Sequence, residues 1–125
     1  MKIVIADDSI LLRDRIKNLL KSINIKSELY EAKNGLEALD LILEVKPDLV
    51  ILDIRMPEMN GIEVLKKIRK SQMLVKICIL TNYSFPQYKL KCFEAGADYF
   101  LSKTDDFEDI EDVIADMLNK AYVSE

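Results

Sequence analysis

Five residues of this sequence have the types and spacing of a site that handles phosphate and a metal. They are the adjacent acids Asp7 and Asp8, a third acid Asp53, the hydroxyl residue Thr81 and the cation Lys103. Carboxylate oxygens without nearby histidine or thiolate select a hard cation such as Mg²⁺. A carboxylate can also act as a nucleophile, while a metal and a lysine neutralise the charge on a transferring phosphoryl group.

The charges of this set balance when a divalent cation is included. Two carboxylates about 4 Å apart repel by roughly 4 kcal/mol at an effective dielectric constant of ~20, so folding does not gather acids without a counter-charge. Three carboxylates, one lysine and one Mg²⁺ sum to zero. The residues suit phosphoryl transfer, and they leave open whether Asp53 is an end-point acceptor or a transient intermediate of a phosphatase.

Short β-rich segments alternate with segments of helical periodicity along the whole chain. The predicted strands are 2–6, 27–31, 48–53, 75–80 and 98–101, and the predicted helices are 9–23, 35–45, 61–70, 86–95 and 106–121. With right-handed crossovers, this order predicts an α/β fold, a (βα)5 parallel sheet with helices on both faces. Each of the five candidate site residues ends or follows a predicted strand, so we expect them to converge at one edge of the sheet.

The composition narrows the classes of protein that the chain can belong to. Its 125 residues are 50% apolar and 32% charged, which predicts a single globular domain over 1–125. A net charge of −4 gives no general attraction to nucleic acid, and no apolar run approaches a membrane span. The chain has no histidine, and the spacing of Cys78 and Cys92 fits no metal or redox motif, so a reduced, cytoplasmic protein is expected.

The chain resembles the receiver domain of bacterial two-component response regulators, including the stand-alone chemotaxis receivers. The resemblance rests on IVIADDS (3–9), LVILDIRMPEMNGIEVL (49–65), ILT (79–81) and EAGADYFLSK (94–103). It covers essentially the whole chain and implies a flavodoxin-like fold with strand order 2-1-3-4-5. It also implies a signalling module that catalyses its own phosphorylation and dephosphorylation, not a metabolic enzyme.

The resemblance implies a donor, a cofactor and a set of ligands. Asp53 would accept a phosphoryl group from a sensor histidine kinase or a histidine phosphotransfer protein. Mg²⁺ or Mn²⁺ would be held by Asp53, by Asp8 directly, by Asp7 largely through water, and by the backbone carbonyl of Arg55.

The resemblance also implies contacts to the phosphoryl group and a conformational switch. Thr81, Lys103 and backbone N–H groups near Arg55 and Asn82 would contact its oxygens. Phe100, three residues before the lysine, would move together with Thr81. That movement would remodel the face formed by the fourth helix, the fifth strand and the fifth helix, which would bind a downstream protein effector. Strand alternation places the preceding tyrosine on the opposite side of the sheet from Phe100.

Several positions depart from the family pattern. Thr104 follows the lysine where a cis-proline is usual, so we expect either a strained bond or a different loop course. Asn82 replaces a small residue after Thr81. Arg55 and Tyr83 are expected to overhang the pocket, restrict attacking water and tune the lifetime of the acyl phosphate.

The sequence leaves several alternative functions open. The chain could be the N-terminal receiver of a longer regulator with a DNA-binding or enzymatic output domain, a pseudo-receiver scaffold that is not phosphorylated, or a phosphatase. A phosphatase would need an acid where Arg55 stands.

The basic run 66–70 predicts a solvated helix face. The acidic segment 105–116 predicts either a solvated face or a docking face for a basic partner.

Overall fold

The strands form one parallel sheet in a computed structural model that describes residues 1–23 and 25–123. The strands are β1 (Lys2–Ala6), β2 (Glu28–Ala32), β3 (Leu49–Leu52), β4 (Lys76–Thr81) and β5 (Tyr99–Ser102). Their order in the sheet is β2-β1-β3-β4-β5, which confirms the predicted flavodoxin-like order. The carboxyl ends of all five strands therefore meet at one edge.

The helices lie close to the predicted segments. They are α1 (Ile10–Ser22), α2 (Gly35–Val45), α3 (Gly61–Lys70), α4 (Pro86–Glu94) and α5 (Ile110–Val123), the last preceded by a 3-10 turn over Phe107–Asp109. Ser9, Asn34 and Asn60 cap the first three helices with side-chain oxygens that accept backbone N–H bonds. Because Ser9 caps α1, the chain turns into the helix immediately after the acid pair.

Two apolar layers cover the two faces of the sheet. On one face, strand residues such as Val4, Val50 and Ile77 pack against α2, α3 and α4. On the other, Ile51 and Cys78 are among the strand residues that pack against α1 and α5. Because both faces are covered, the central strands are apolar at consecutive positions instead of alternating. No helix among the described residues is long and apolar enough to cross a membrane.

The basic run 66–70 departs in part from the expected solvated face. The Arg69 side chain is half-buried, and its Nη2 lies 2.9 Å from Oδ2 of Asp98. Its Nε also donates to the carbonyl oxygen of Gly96 at 2.9 Å. Arg69 therefore ties α3 to the loop before β5, while Lys66, Lys67 and Lys70 are exposed.

Candidate functional site

Strand register brings three carboxylates together at the carboxyl edge of the sheet. Ala6 pairs with Leu52 across β1 and β3, and the N–H of Asp53 donates to the carbonyl of Ala6 at 3.0 Å. Asp7, Asp8 and Asp53 each offer a carboxylate oxygen within 4.8 Å of the others. Asp7 and Asp53 are buried, at 2% and 6% exposure, whereas Asp8 is open to solvent. The expected convergence of the acids is confirmed.

Lys103 bridges the two buried acids. Its Nζ lies 2.8 Å from Oδ2 of Asp7 and 2.8 Å from Oδ2 of Asp53. Burial by itself disfavours the ammonium, but the hydrogen bonds to Asp53 and Asp7 outweigh it and raise the pKa of Lys103. Burial also raises the pKa of Asp7, an effect that the hydrogen bonds from Lys103 and Ser9 only partly offset. The lysine therefore stays charged and neutralises part of the site.

The donor set fits a hard divalent cation. Three carboxylates against one ammonium leave a charge of −2, and all the clustered ligand atoms are oxygens. The second oxygens of the buried acids are already oriented by the backbone. Oδ1 of Asp7 accepts from the N–H of Ser9 at 2.9 Å, and Oδ1 of Asp53 accepts from the N–H of Ile54 at 2.7 Å.

Thr81 lies at the end of β4, and its hydroxyl accepts a hydrogen bond from the loop that follows the strand. The residue is fully buried, and its Oγ1 accepts the backbone N–H of Tyr83 at 3.1 Å. The Arg55 guanidinium lies 4.6 Å from the centre of the Tyr83 ring. This contact connects the loop after β3 to the loop after β4 beside the acid cluster. Asn82 is exposed and, with Lys103, lines a cavity of about 390 Å³.

The loop after β3 is held close to the acids by two glycines. A β-carbon on Gly61 would lie 2.0 Å from the carbonyl oxygen of Asp53, and one on Gly35 would lie 1.8 Å from the carbonyl oxygen of Met59. The N–H of Gly61 donates to the carbonyl of Ile54 at 2.7 Å. Only glycine allows these approaches, which explains the glycine that ends the motif at residues 53–61.

The loop after β5 contains no cis peptide bond among the residues that the structure describes. The peptide bond between Lys103 and Thr104 is trans, so the alternative of a strained cis bond is wrong. The Asp106 carboxylate accepts the N–H of Ser102 at 2.9 Å, and the Ser102 and Thr104 hydroxyls lie 3.0 Å apart. The N–H of Lys103 donates to the carbonyl of Thr81 at 3.0 Å. These bonds hold the backbone of the lysine without a proline.

The two aromatic residues of β5 lie on opposite faces of the sheet, as predicted from alternation. Phe100 is half-buried on the α4 side, with its ring 6.5 Å from that of Phe93. Tyr99 packs on the α5 side, where its hydroxyl donates to the carboxylate of Asp116. The acidic segment is therefore engaged at Asp106 and Asp116, and it does not form a uniformly solvated face.

Two residues that the sequence analysis did not single out hold the acid pair. Ser9 caps α1 and donates its N–H to Asp7, and a serine immediately before a helical period could have indicated this. Arg13 donates from Nη1 to the backbone carbonyl of Asp7 at 2.6 Å. No local sequence signal points to that contact, because it depends on how α1 packs against the strand ends.

Comparison with known proteins identifies the class of protein. A profile of the response regulator receiver domain matches residues 3–115, so the chain belongs to the receiver domain family of two-component response regulators. The chemotaxis protein CheY of Listeria monocytogenes is 37% identical over 103 residues, which cover 82% of this chain and 86% of that protein. A LuxR-family DNA-binding response regulator from Staphylococcus aureus superposes with a TM-score of 0.84 at 35% identity, over 93% of this chain and 97% of that one.

Other relatives are longer than this chain. The uncharacterized transcriptional regulatory protein YhcZ of Bacillus subtilis is 38% identical over 110 residues, which are 88% of this chain and 51% of YhcZ. The chain thus spans about half the length of the first curated relatives that it matches.

Proposed function

We propose that Asp53 accepts a phosphoryl group from a phosphohistidine of a sensor histidine kinase or histidine phosphotransfer protein, and that this modification controls binding to a protein effector. The observation that carries the proposal is the pairing of buried Asp53 with Lys103 inside a three-acid cluster. A carboxylate held in this way is a nucleophile with a cation already placed to contact the incoming phosphoryl oxygens. Membership in the receiver family supports the same chemistry.

The acid cluster suits Mg²⁺, or Mn²⁺, as the cofactor. Asp8 and Asp53 would hold the ion, with Asp7 acting largely through water and the backbone carbonyl of Arg55 as a further ligand. When bound, the ion supplies positive charge to the phosphoryl oxygens and removes the remaining −2 of the site. The exposure of Asp8 leaves this part of the cluster open to a cation from solvent.

The residues of the chain would carry out the transfer as follows. A carboxylate oxygen of Asp53 forms a bond to phosphorus while the bond from phosphorus to the donor nitrogen breaks, and the electron pair leaves with the imidazole. Lys103, which donates to the Asp53 carboxylate in this structure, would stay at the carboxyl edge of the sheet and donate to a phosphoryl oxygen. The backbone N–H groups near Asn82 and Arg55 contact the other oxygens. The charge on residue 53 changes from about −1 to about −2.

The switch would begin at Thr81. Its hydroxyl bonds the N–H of Tyr83 in this structure and would turn toward the phosphoryl group, which draws the loop after β4 with it. Phe100, which packs against the core on the α4 side of the sheet, would move with this loop, and the face formed by α4, β5 and α5 would change shape. Phosphorylation would thereby bias two arrangements of one binding surface.

A second candidate is that this domain controls an output domain on the same chain. The observation that favours it is that the chain covers only about half of YhcZ and of other curated relatives.

In either case we propose that residues 1–125 act as one receiver unit in the cytoplasm. Cys78 and Cys92, which are both free and pack on opposite faces of the sheet, are compatible with a reducing compartment.

Incubation with acetyl phosphate tests the proposal directly. With Mg²⁺ present, we expect the intact mass to rise by about 80 Da, the mass of one phosphoryl group, and peptide mapping to place the gain on Asp53. Chelation of the metal with EDTA should suppress the gain, because the acid cluster then keeps its uncompensated charge. No gain from acetyl phosphate or phosphoramidate would favour a scaffold that is not phosphorylated.

The Arg55–Tyr83 contact should set the lifetime of the phosphorylated state. Replacing either residue with Ala removes the cation–π contact in which the Arg55 guanidinium lies 4.6 Å from the centre of the Tyr83 ring. If these side chains overhang the acids, as we propose, attacking water then gains access. Such contacts are worth ~0.5–1 kcal/mol at exposed sites, which corresponds to phosphate loss about two- to fivefold faster. The measurement is the decay of phosphorylated protein after the donor is removed. Lys67→Ala, on the exposed face of α3, is the control, and an unchanged decay in both pocket variants would contradict this role.

A further inference from the structure

The peptide bond between Asp7 and Asp8 is held from the side by one arginine. Nη1 of Arg13 donates to the carbonyl oxygen of Asp7 at 2.6 Å, a short charge-assisted hydrogen bond. Nε of the same guanidinium lies 3.0 Å from Oε1 of Glu31 on β2, and the Arg13 side chain is only 12% exposed. The guanidinium is therefore anchored on one edge by a carboxylate and uses its other edge to hold the backbone of the acid pair.

This hydrogen bond acts on both acids at the same time. The peptide group is planar, so the carbonyl of Asp7 and the α-carbons of Asp7 and Asp8 lie in one plane. Fixing that carbonyl fixes the orientation of this plane, and so it restrains the positions of both α-carbons that carry the two carboxylate side chains. Asp7 has further restraints, since its N–H donates to Ala32 and its Oδ1 accepts from Ser9. Asp8 is exposed, and the structure gives its carboxylate no hydrogen bond or ion pair within the described part of the chain.

We propose that Arg13 is a positioning residue for the cation site, which orients the Asp7–Asp8 peptide plane so that the Asp8 carboxylate faces the ion. The inference rests on the proposed Mg²⁺-dependent function. Groups that orient metal ligands in this way typically change metal affinity by about 10- to 100-fold when they are removed. For Arg13→Ala we expect the Mg²⁺ concentration needed for half-maximal effect to rise by about tenfold.

Whether Arg13→Ala weakens or strengthens Mg²⁺ binding distinguishes a positioning role from a purely electrostatic one. Removing a cation beside an acidic site strengthens the attraction for Mg²⁺ if only the field matters. Lys17 provides the matched control, because its Nζ contacts the same Glu31 and also Asp14 at 3.1 Å each, but it makes no hydrogen bond of its own to the Asp7 carbonyl. We call the Mg²⁺ concentration that gives the half-maximal effect the Mg²⁺ midpoint. Lys17→Ala should leave the Mg²⁺ midpoint unchanged or lower it, whereas Arg13→Ala should raise it.

The experiment is a titration of MgCl₂ followed by the thermal unfolding midpoint, because a ligand of the folded state raises that midpoint as its concentration exceeds Kd. Asp8→Asn gives the baseline without the proposed direct ligand. The rate of phosphorylation by acetyl phosphate is measured over the same Mg²⁺ range. In Arg13→Ala, the rate should be low at limiting Mg²⁺ and approach that of the unchanged protein at saturating Mg²⁺.

The possible outcomes distinguish the role of Arg13 from the function itself. An unchanged or lowered Mg²⁺ midpoint in Arg13→Ala overturns the positioning role. So does a rate that falls equally at every Mg²⁺ concentration, because that pattern reflects a general structural defect. Arg13→Lys repeats the test if the alanine variant does not fold. One ammonium cannot reproduce the two-edged contact of the guanidinium, so its midpoint should also rise. If the unchanged protein responds to neither Mg²⁺ nor acetyl phosphate, the proposed function fails as well.

Discussion

We expect Asp53→Asn to reduce phosphoryl incorporation from acetyl phosphate to background. The amide has nearly the shape of the carboxylate, but it lacks the charge and the nucleophilic oxygen that form an acyl phosphate. Its carbonyl oxygen can still accept the N–H of Ile54, which the carboxylate accepts at 2.7 Å, so the variant should fold. Intact mass after incubation with acetyl phosphate and Mg²⁺ measures the loss, and circular dichroism checks the fold.

The control for this variant is an equivalent change away from the site. Asp112→Asn makes the same exchange of carboxylate for amide on the exposed face of α5, and it should incorporate phosphate like the unchanged protein. Undiminished incorporation in Asp53→Asn would mean that another group is the acceptor. Peptide mapping would then show whether Asp7 or Asp8, whose carboxylates lie in the same cluster, carries the phosphate.

Lys103→Met should produce the largest loss of stability among the site variants. The ammonium lies 2.8 Å from both Asp7 and Asp53, which are almost completely buried. Its removal leaves two close carboxylates without a counter-charge, and breaking a buried pair in this way costs about 3 kcal/mol of unfolding free energy. Urea unfolding at neutral pH measures the change. Mg²⁺ should restore part of the lost stability, because the cation replaces the missing positive charge.

The loss of stability in Lys103→Met should be larger at neutral pH than in mild acid. Burial raises the pKa of Asp7 in the folded protein above its unfolded value. A group of this kind stabilises the fold at low pH, and the stability is lost as pH rises through the folded pKa. The lysine hydrogen bond opposes this effect, so the variant should come close to the unchanged protein in mild acid and fall behind toward neutrality.

Two comparisons test this explanation. Lys67→Met removes an exposed lysine of α3 and should not change the urea midpoint measurably. Lys103→Arg keeps the charge and should lose less stability than the methionine variant. Equal stability of Lys103→Met and the unchanged protein, at neutral pH and without Mg²⁺, would show that the acids do not depend on this counter-charge.

The elements of the fold and the membership of the site could be predicted from the sequence because both leave local signals. The β-rich segment 48–53 predicted the third strand, and the helical periods predicted α2 and α3 over the same bounds that the structure shows. Residues that follow neighbouring strands of a parallel sheet lie at one edge, so the sequence predicts that Asp7, Asp8 and Asp53 lie together, as the structure shows.

Side-chain contacts between distant segments could be decided only by the tertiary structure. The bridge from Lys103 to Asp53 spans 50 residues, and the hydroxyl of Thr81 accepts the backbone N–H of Tyr83. The basic run looked solvated, yet Arg69 is bound to Asp98 and Gly96. Such contacts depend on the register of strands, the packing of helices and the choice of rotamer, none of which leaves a periodic pattern in the sequence. For the same reason, the hydrogen bond from Arg13 to the Asp7 carbonyl could not be predicted from the sequence, because it depends on how α1 packs against the sheet.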